Sequence, residues 1–436
     1  MQMEKKTGNR KVLHAADIHL DSPLRKLQTY EDAPVDQIRG ASRRALENLV
    51  QLAIHQSVDL VVIAGDLYDG DWRDQNTGLF FVAQAAKLTQ AGIPIVVIRG
   101  NHDAANLMTS SLPLPKNPDG SEIMMAADKV DARVFESLSI AVHGRSFRKR
   151  AETKDLSKQY PKPFSGVFNL GLLHTSLTGA EGHDNYSPCK PQELTDKEYD
   201  YWALGHVHLR GEHGIDGGPP IVFSGNIQGR HIRESGEKGC VIVEIDSRDR
   251  CTPNFHALDV VRWDVCQIDA RTIDHPDDVM DQFEQWVTRQ ITSAEGRLIV
   301  SRVAVSGPTA VHNALHQRRH RIEASLRAIA VAHGGGQVWL EKLRLKTSTP
   351  THAFAFGDLD GPLASVAQVV NDFRMAEDRV ETVKQELASL LSKLPIELHG
   401  YGEGFSSDSM GQTDELVASA AAELLGRLQE SESTSE

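Results

Sequence analysis

Five short islands rich in metal-binding side chains occur in one order along the chain: A-D-I-H-L at 16–20, G-D-L-Y-D at 65–69, G-N-H-D at 100–103, L-H-T at 173–175 and G-H-V-H at 205–208. Alone, each has an ordinary explanation. A D-x-H triplet is common in turns, Asp66 could cap a helix, and a single histidine after a strand is usually structural. Together they supply Asp17, His19, Asp66, Asn101, His174, His206 and His208. That set is enough for two divalent cations with positions left for water and a phosphate. Its mixture of carboxylate, amide and imidazole suits Mn²⁺ or Fe²⁺, with Zn²⁺ also admitted, better than Mg²⁺ or Ca²⁺. Two such ions roughly 3.5–4 Å apart would activate a bridging water and neutralise phosphoryl oxygens in an in-line displacement.

Within the islands, alternation along an extended segment puts Asp17 and His19 on one side, to grip one ion. The same spacing offers His206 and His208 to one ion each. Asp66 is the natural bridging carboxylate, and Gly65 before it lets backbone approach the ion. His102 lies beside the ligands and suits proton donation to a leaving alkoxide. Asp69 is placed to hold it protonated and oriented. Asp103 is open between loop cap and site residue. His14, His55, His143, His183, His213 and His256 lack motif support and read as structural or surface residues. Arg230, His231 and Arg233 follow a Gly-Asn turn, with phosphate contact and ion pairing to Glu234 both open.

The elements that must position these groups alternate in type. A strand over 11–16, helical periodicity over 37–56, a continuous apolar run over 59–64, a helix over 78–91 and a strand over 93–98 imply a parallel sheet covered on both faces. The islands follow the carboxyl ends of those strands, where open α/β sheets place ligands. From about Phe135 strands dominate: S-L-S-I-A-V-H-G, V-F-N-L-G-L-L-H, Y-W-A-L-G-H, I-V-F-S-G and G-C-V-I-V-E-I-D. They predict a second sheet packed on the first, which supplies His174 and the His206/His208 pair. The loop-rich stretch from His174 to Tyr199 would shape access to the site. The expected class is α/β, an α+β sandwich of two mixed sheets flanked by helices. Its core spans 1–259, followed by a small α+β capping domain at 260–348. The region 349–436 carries helices at 363–394 and 414–429 and a polar, disordered end.

Composition narrows the classes. With 436 residues, two or three domains are expected. No apolar run is long enough for a bilayer, and the start reads as a strand, not a signal peptide. Cys189, Cys240, Cys251 and Cys266 are scattered, as reduced thiols of a cytoplasmic protein would be. A net charge of −13 is the wrong sign for general affinity to nucleic acid. A metal pair would restore positive charge locally, and basic clusters stand at 145–150 and 318–321.

The islands resemble those of the calcineurin-like metallophosphoesterase superfamily. G-N-H-D in place of G-N-H-E argues against its protein phosphatase branch. H-A-A-D-I-H-L-D-S-P-L resembles the opening of SbcD-type DNA repair exonucleases, and S-G-N-I-Q-G-R-H-I-R-E-S-G-E-K-G-C at 224–240 resembles the YhaO-like subgroup. The resemblance implies a Mn²⁺-dependent nuclease acting on DNA phosphodiesters. It places Asp17, His19, Asp66 and His208 around one metal, and Asp66, Asn101, His174 and His206 around the other. His102 falls at the catalytic histidine. Asp69 departs from the histidine of eukaryotic and archaeal relatives, though an acid there is common in bacterial ones. The resemblance also implies a coiled-coil ATPase partner bound near the C-terminal helices, and a homodimer. Two other readings compete: a phosphodiesterase for nucleotides or other small diesters, and a non-catalytic scaffold. The first leaves some 175 residues after Asp259 unexplained, and the second predicts lost ligands where none is lost.

Overall fold

The computed structural model describes residues 8–22, 34–69, 75–104, 113–177 and 185–350, with isolated positions between 365 and 386. The described chain falls into two units. The first takes Met1–Asp264, Gln290–Ser301 and Gly336–Trp339, and the second takes the remainder.

The first unit opens with β1 (Arg10–Ala15), α1 (Val35–Arg39), α2 (Ala41–His55), β2 (Leu60–Ala64), α3 (Gln75–Gln90) and β3 (Ile95–Ile98). The helix expected over 37–56 is broken at Gly40, which ends α1 and precedes α2. There follow β4 (Asp131–Phe135), β5 (Ile140–Gly144), β6 (Phe168–His174), a short α4 (Pro191–Thr195), β7 (Tyr201–Gly205), β8 (Gly211–Glu212), β9 (Ile221–Phe223), β10 (Gly239–Ile245) and β11 (Cys251–Ala257).

Two mixed sheets result, as the class expected. A five-stranded sheet runs β11-β10-β1-β2-β3, and a six-stranded sheet runs β4-β5-β6-β7-β9-β8. The expected parallel core is present in β1, β2 and β3. One assignment changes. G-C-V-I-V-E-I-D, expected in the second sheet, is β10, and it pairs antiparallel with β1 in the first (Val12 opposite Val243). An apolar run says that a strand is buried on both faces; it does not say which edge the strand joins.

Period-two alternation sorts the first sheet's side chains. Leu13, Ala15, Val61, Ile63, Ile95 and Val97 face Leu46, Leu49 and Val50 of α2 and Phe81 and Leu88 of α3. Val12, Leu60, Val62, Val96 and Ile98 pack instead with Ile140, Val142, Leu170, Leu172 and Ala203 of the second sheet. Both faces of β2 are therefore dry, which explains its uninterrupted L-V-V-I-A. On its other face the second sheet packs Leu173, Trp202, Leu204 and Phe223 beneath Phe147, Tyr160 and Leu194.

His14 is a polar tie within the layer between the sheets. Fully buried in β1, it lies 3.0 Å by Nδ1 from the Tyr201 hydroxyl and 3.1 Å by Nε2 from the Leu204 carbonyl. A carbonyl only accepts, so Nε2 carries the proton and the tyrosine donates to Nδ1. Burial pushes this imidazole down to about 3 from its ordinary 6.5, against the opposing effect of the Leu204 carbonyl. His143, also buried, bonds Asn169. Both are structural, as read from the sequence. His183 lies outside the described residues.

The second unit holds most of a three-stranded sheet ordered β12 (Val261–Asp269), β13 (Leu298–Pro308) and β14 (Val338–Ser348). With it come α5 (Asp278–Ala294), α6 (His312–Gln317) and α7 (Arg319–Gly334). α5 buries Val279, Phe283 and Val287, and α7 buries Ile322, Leu326 and Ala330, each at helical spacing. Arg302 and Glu341 pair at 2.9 Å between β13 and β14. Apart from isolated positions, the helices expected at 363–394 and 414–429 lie outside the described residues. Among the described residues no helix is long and apolar enough to cross a membrane, and all four cysteines are free.

The His14 environment gives a pH signature. Folding disfavours its protonated form, so its contribution is complete above about pH 6.5 and is lost as pH falls toward 3. His14→Gln should flatten the fall in unfolding free energy across that window, by up to about 1.4 kcal/mol per pH unit. Parallel slopes for variant and wild type in denaturant titrations would contradict the assignment.

Candidate metal centre

Every predicted site residue sits where a strand of the first unit ends or just beyond. β1 leads to Asp17 and His19, β2 to Asp66 and Asp69, β3 to Asn101 and His102, β6 ends on His174, and β7 leads to His206 and His208. The structure brings them together in three groups with ligand atoms within 4.8 Å of one another: Asp17, His19 and His208; Asp66, His174 and His206; and His19, Asp69 and His102. Asn101 joins the second group, its Oδ1 lying 2.9 Å from His174 Nε2 and 3.2 Å from His206 Nδ1. Asp66 Oδ2 lies 3.5 Å from His174 Nε2 and 3.9 Å from His19 Nε2, between the first two groups. His206 and His208 go to different groups, as their spacing suggested.

The route to this arrangement differs from the expected extended alternation. Asp17, His19, Asp66 and His206 all have positive φ (50°, 44°, 53° and 101°), the left-handed region that costs L residues of order 1 kcal/mol or more each. Backbone bonds hold the turns: Asp17 N–H donates to the Gly65 carbonyl and His19 N–H to that of Asp66, both at 3.0 Å. Gly65 too serves a different purpose from the one its position suggested. Its φ is +93°, and a Cβ there would stand 2.5 Å from His174 Nδ1, so it makes room for an imidazole. At Gly100 a Cβ would lie 2.3 Å from Asp66 Oδ1 and 2.7 Å from His174 Cε1.

Asp103 resolves as a structural cap. Its carboxylate accepts from the backbone N–H groups of Leu67, Tyr68 and Gly100 at 3.0, 2.9 and 3.1 Å, locking two site loops together. Burial, then the charge of Asp66, raises it to about 6 despite those donors. Among the described residues Asp66 caps no helix; its Oδ1 accepts from His102 N–H at 2.9 Å. Asp69 Oδ1 makes a 2.8 Å ionic contact with His102 Nδ1, the pairing foreseen from the sequence. Burial alone would lower His102, but Asp69 and Asp66 outweigh it and raise it.

The fit to metal can be tested from proton placement. His174 Nδ1 donates to the Ala64 carbonyl at 2.9 Å, so in the neutral ring its Nε2 presents a lone pair. That lone pair faces the acceptor oxygens of Asn101 and Asp66 with no proton between them. His208 Nδ1 lies 2.7 Å from the Glu234 carboxylate, so Nδ1 donates and Nε2 is again a lone pair, 3.1 Å from His19 Nε2. Burial, followed by Arg230 and His208, pushes His19 well below the usual imidazole range, so it stays neutral. The buried acceptors converging on His174 call for positive charge, and both groups offer the ligand types of a first-row metal. Without one, a proton substitutes. Burial would lower His174, but the charge and contact of Asp66, with Asp17, raise it to about 9.

Glu234 escaped the sequence reading except as a partner for nearby arginines. It is buried and accepts from His208, Asn226 and Arg230. Its spacing from Arg230 was visible, whereas its link to His208 exists only in the fold. Arg230 reaches the site, bonding Glu234 at 2.9 Å and lying 3.8 Å from Asp69, whereas His231 and Arg233 are exposed. Phe147 and Tyr186 pack edge-on against His174 and His206, with centroids 5.3 and 5.5 Å apart.

Residues 10–210 match the calcineurin-like phosphoesterase family, whose fold implies divalent metal ions. Residues 263–348 match the middle domain of metallophosphoesterase YhaO. It is 33% identical over 264 residues to an uncharacterized metallophosphoesterase, YhaO, of Bacillus subtilis (strain 168), covering 59% of this chain and 62% of that protein. It is 26% identical to the DNA double-strand break repair protein Mre11 of Sulfurisphaera tokodaii, over 49% of this chain and 53% of that one. Identity to Mre11 of Methanopyrus kandleri is also 26%, over 50% and 48%. The chain thus spans about half to 62% of the length of these relatives.

Three outcomes follow. Gly100→Ala should fold, by circular dichroism, yet retain little metal by elemental analysis, because the new methyl displaces Asp66 and His174. Glu234→Gln should weaken metal affinity about 10–100-fold. Metal uptake near neutral pH should release the His174 proton, giving calorimetric heats that vary with buffer ionisation enthalpy and an affinity that rises as pH approaches 9. Buffer-independent heats would show that no proton is displaced.

Proposed function

We propose that this chain is a two-metal phosphodiesterase that cleaves DNA, an exonuclease working with Mn²⁺ as its native ion. The observation that carries the reading is the pair of facing acceptor groups sharing Asp66, with the His102–Asp69 pair beside them. Asp17, His19, Asp66 and His208 would hold one ion, and Asp66, Asn101, His174 and His206 the other. When bound, the ions supply positive charge that acidifies water and neutralises phosphoryl oxygens. The chain's own groups do the rest. Glu234 and the Ala64 carbonyl fix the His208 and His174 tautomers so that Nε2 faces inward. Asp69 and Asp66 favour the protonated state of His102, as a donor to a leaving 3′- or 5′-alkoxide requires.

The choice of DNA is supported by the similarity to the Mre11 proteins and by the residues beyond the core, which a small-diester enzyme does not need. We also propose a coiled-coil ATPase partner bound by the region 349–436, a homodimeric assembly and a cytoplasmic location, the last supported by four free cysteines.

With Mn²⁺, the purified chain should cleave linear duplex DNA and bis-p-nitrophenyl phosphate. His102→Ala should keep its metal and lose about 10²–10⁴-fold in kcat, and Asp69→Asn should show a smaller loss. Activity confined to small monoesters would defeat the nuclease assignment.

A further inference from the structure

Beside the metal centre, the segment 145–150 is pinned at its middle and free at its end. The Phe147 ring is fully buried against His174, and Phe147 N–H donates to the Arg99 carbonyl at 2.9 Å. Arg99 N–H in turn donates to Ser146 Oγ at 3.0 Å, and that hydroxyl donates to the Met125 carbonyl at 2.7 Å. These bonds clip the segment to the strand end that presents Gly100, Asn101 and His102. Arg148, Lys149 and Arg150 come next, and all three are exposed. Arg145 is engaged with the Ala127 carbonyl and Gln159, but Arg148, Lys149 and Arg150 have no hydrogen-bond or ion-pair partner among the described residues.

Arg99 adds an independent sign. Its side chain is half-buried, has no ion-pair partner among the described residues, and keeps Nε enclosed without an acceptor. A guanidinium is always charged, and an enclosed donor without a partner costs of order 1–3 kcal/mol. Such a group, one residue from Gly100, is a vacancy for an anion. The chain carries a net charge of −13, so attraction of a polyanion has to come from local cations of this kind.

We infer that Arg99, Arg148, Lys149 and Arg150 form a phosphate-binding strip that holds the DNA backbone next to the scissile phosphate, without reading bases. This rests on the nuclease reading and extends it to a surface outside the metal ligands. Contacts of this type set register and affinity and carry no sequence information. Each neutralised phosphate contributes about 0.9 to the slope of log affinity against log salt.

The test compares the full chain with two variants, Arg148→Gln/Lys149→Gln/Arg150→Gln and Arg99→Gln. Binding to a fluorescein-labelled DNA duplex is followed by anisotropy with Ca²⁺ in place of Mn²⁺, from about 50 to about 200 mM salt. The triple variant should bind more weakly, with a salt slope lower by about 2–3, and Arg99→Gln should lower it by about 1. With Mn²⁺, the ratio of DNA to bis-p-nitrophenyl phosphate turnover should fall about tenfold in the triple variant, with metal content retained. If wild type binds and cuts DNA and both variants match its affinity and slope, the strip is wrong and the nuclease reading stands. If wild type hydrolyses the small diester but neither binds nor cuts DNA, both fall together.

Discussion

Buried electron-pair donors aimed at one another are the constraint around which the first unit is arranged. His174 Nε2, Asn101 Oδ1 and Asp66 Oδ2 converge within 3.5 Å of His174, and His19 and His208 face each other at 3.1 Å. Neutral His19 can donate from Nε2 to His208, but neutral His174 cannot serve its two facing oxygens, because its proton already goes to the Ala64 carbonyl. Around His174, positive charge reconciles them, carried by a bound cation or by a proton on the ring. The apolar sheets supply the rigidity that keeps these groups from drifting apart to find water.

That rigidity has a visible source. The two sheets share a dry layer in which Val62, Ile98, Val142, Leu172 and Ala203 interlock, and His14 ties β1 to β7 within it. The strand ends of both sheets are thereby brought to one cleft. Left-handed turns at Asp17, His19, Asp66 and His206 then redirect the side chains inward. Strain at four neighbouring residues persists because backbone bonds from Asp17 and His19 to the β2 loop hold it, and because Asp103 binds that loop to the one after β3. The proposed mechanism and the fold therefore use the same loops.

Beyond the ligands, the environment is graded by contact. Phe147 and Tyr186 wall the His174–His206 side with rings, whereas Arg230, Glu234, Asp69 and Ser22 make the opposite side a polar network. The aromatic side limits solvent and the polar side tunes protonation. This division fits the proposed site, which would hold ions firmly yet donate a proton from one edge.

Much of this was legible in the residues themselves, because ligand chemistry depends on side-chain type, and because strands followed by D-x-H, G-D, G-N-H-D and H-x-H leave few alternatives. The parallel core and the Asp69–His102 pairing were readable for the same reason. What pattern could not resolve were quantities that depend on contacts distant in sequence. β10 joins β1 through a register that no local period encodes. Asp103 became a cap only once Leu67, Tyr68 and Gly100 came within reach. Glu234 became the partner of His208 across 26 residues of chain. Sequence alone determined which atoms could bind metal. Tertiary structure decided which of those atoms share an ion-sized space and which protons they must give up, since both depend on distances of a few ångströms between segments far apart along the backbone.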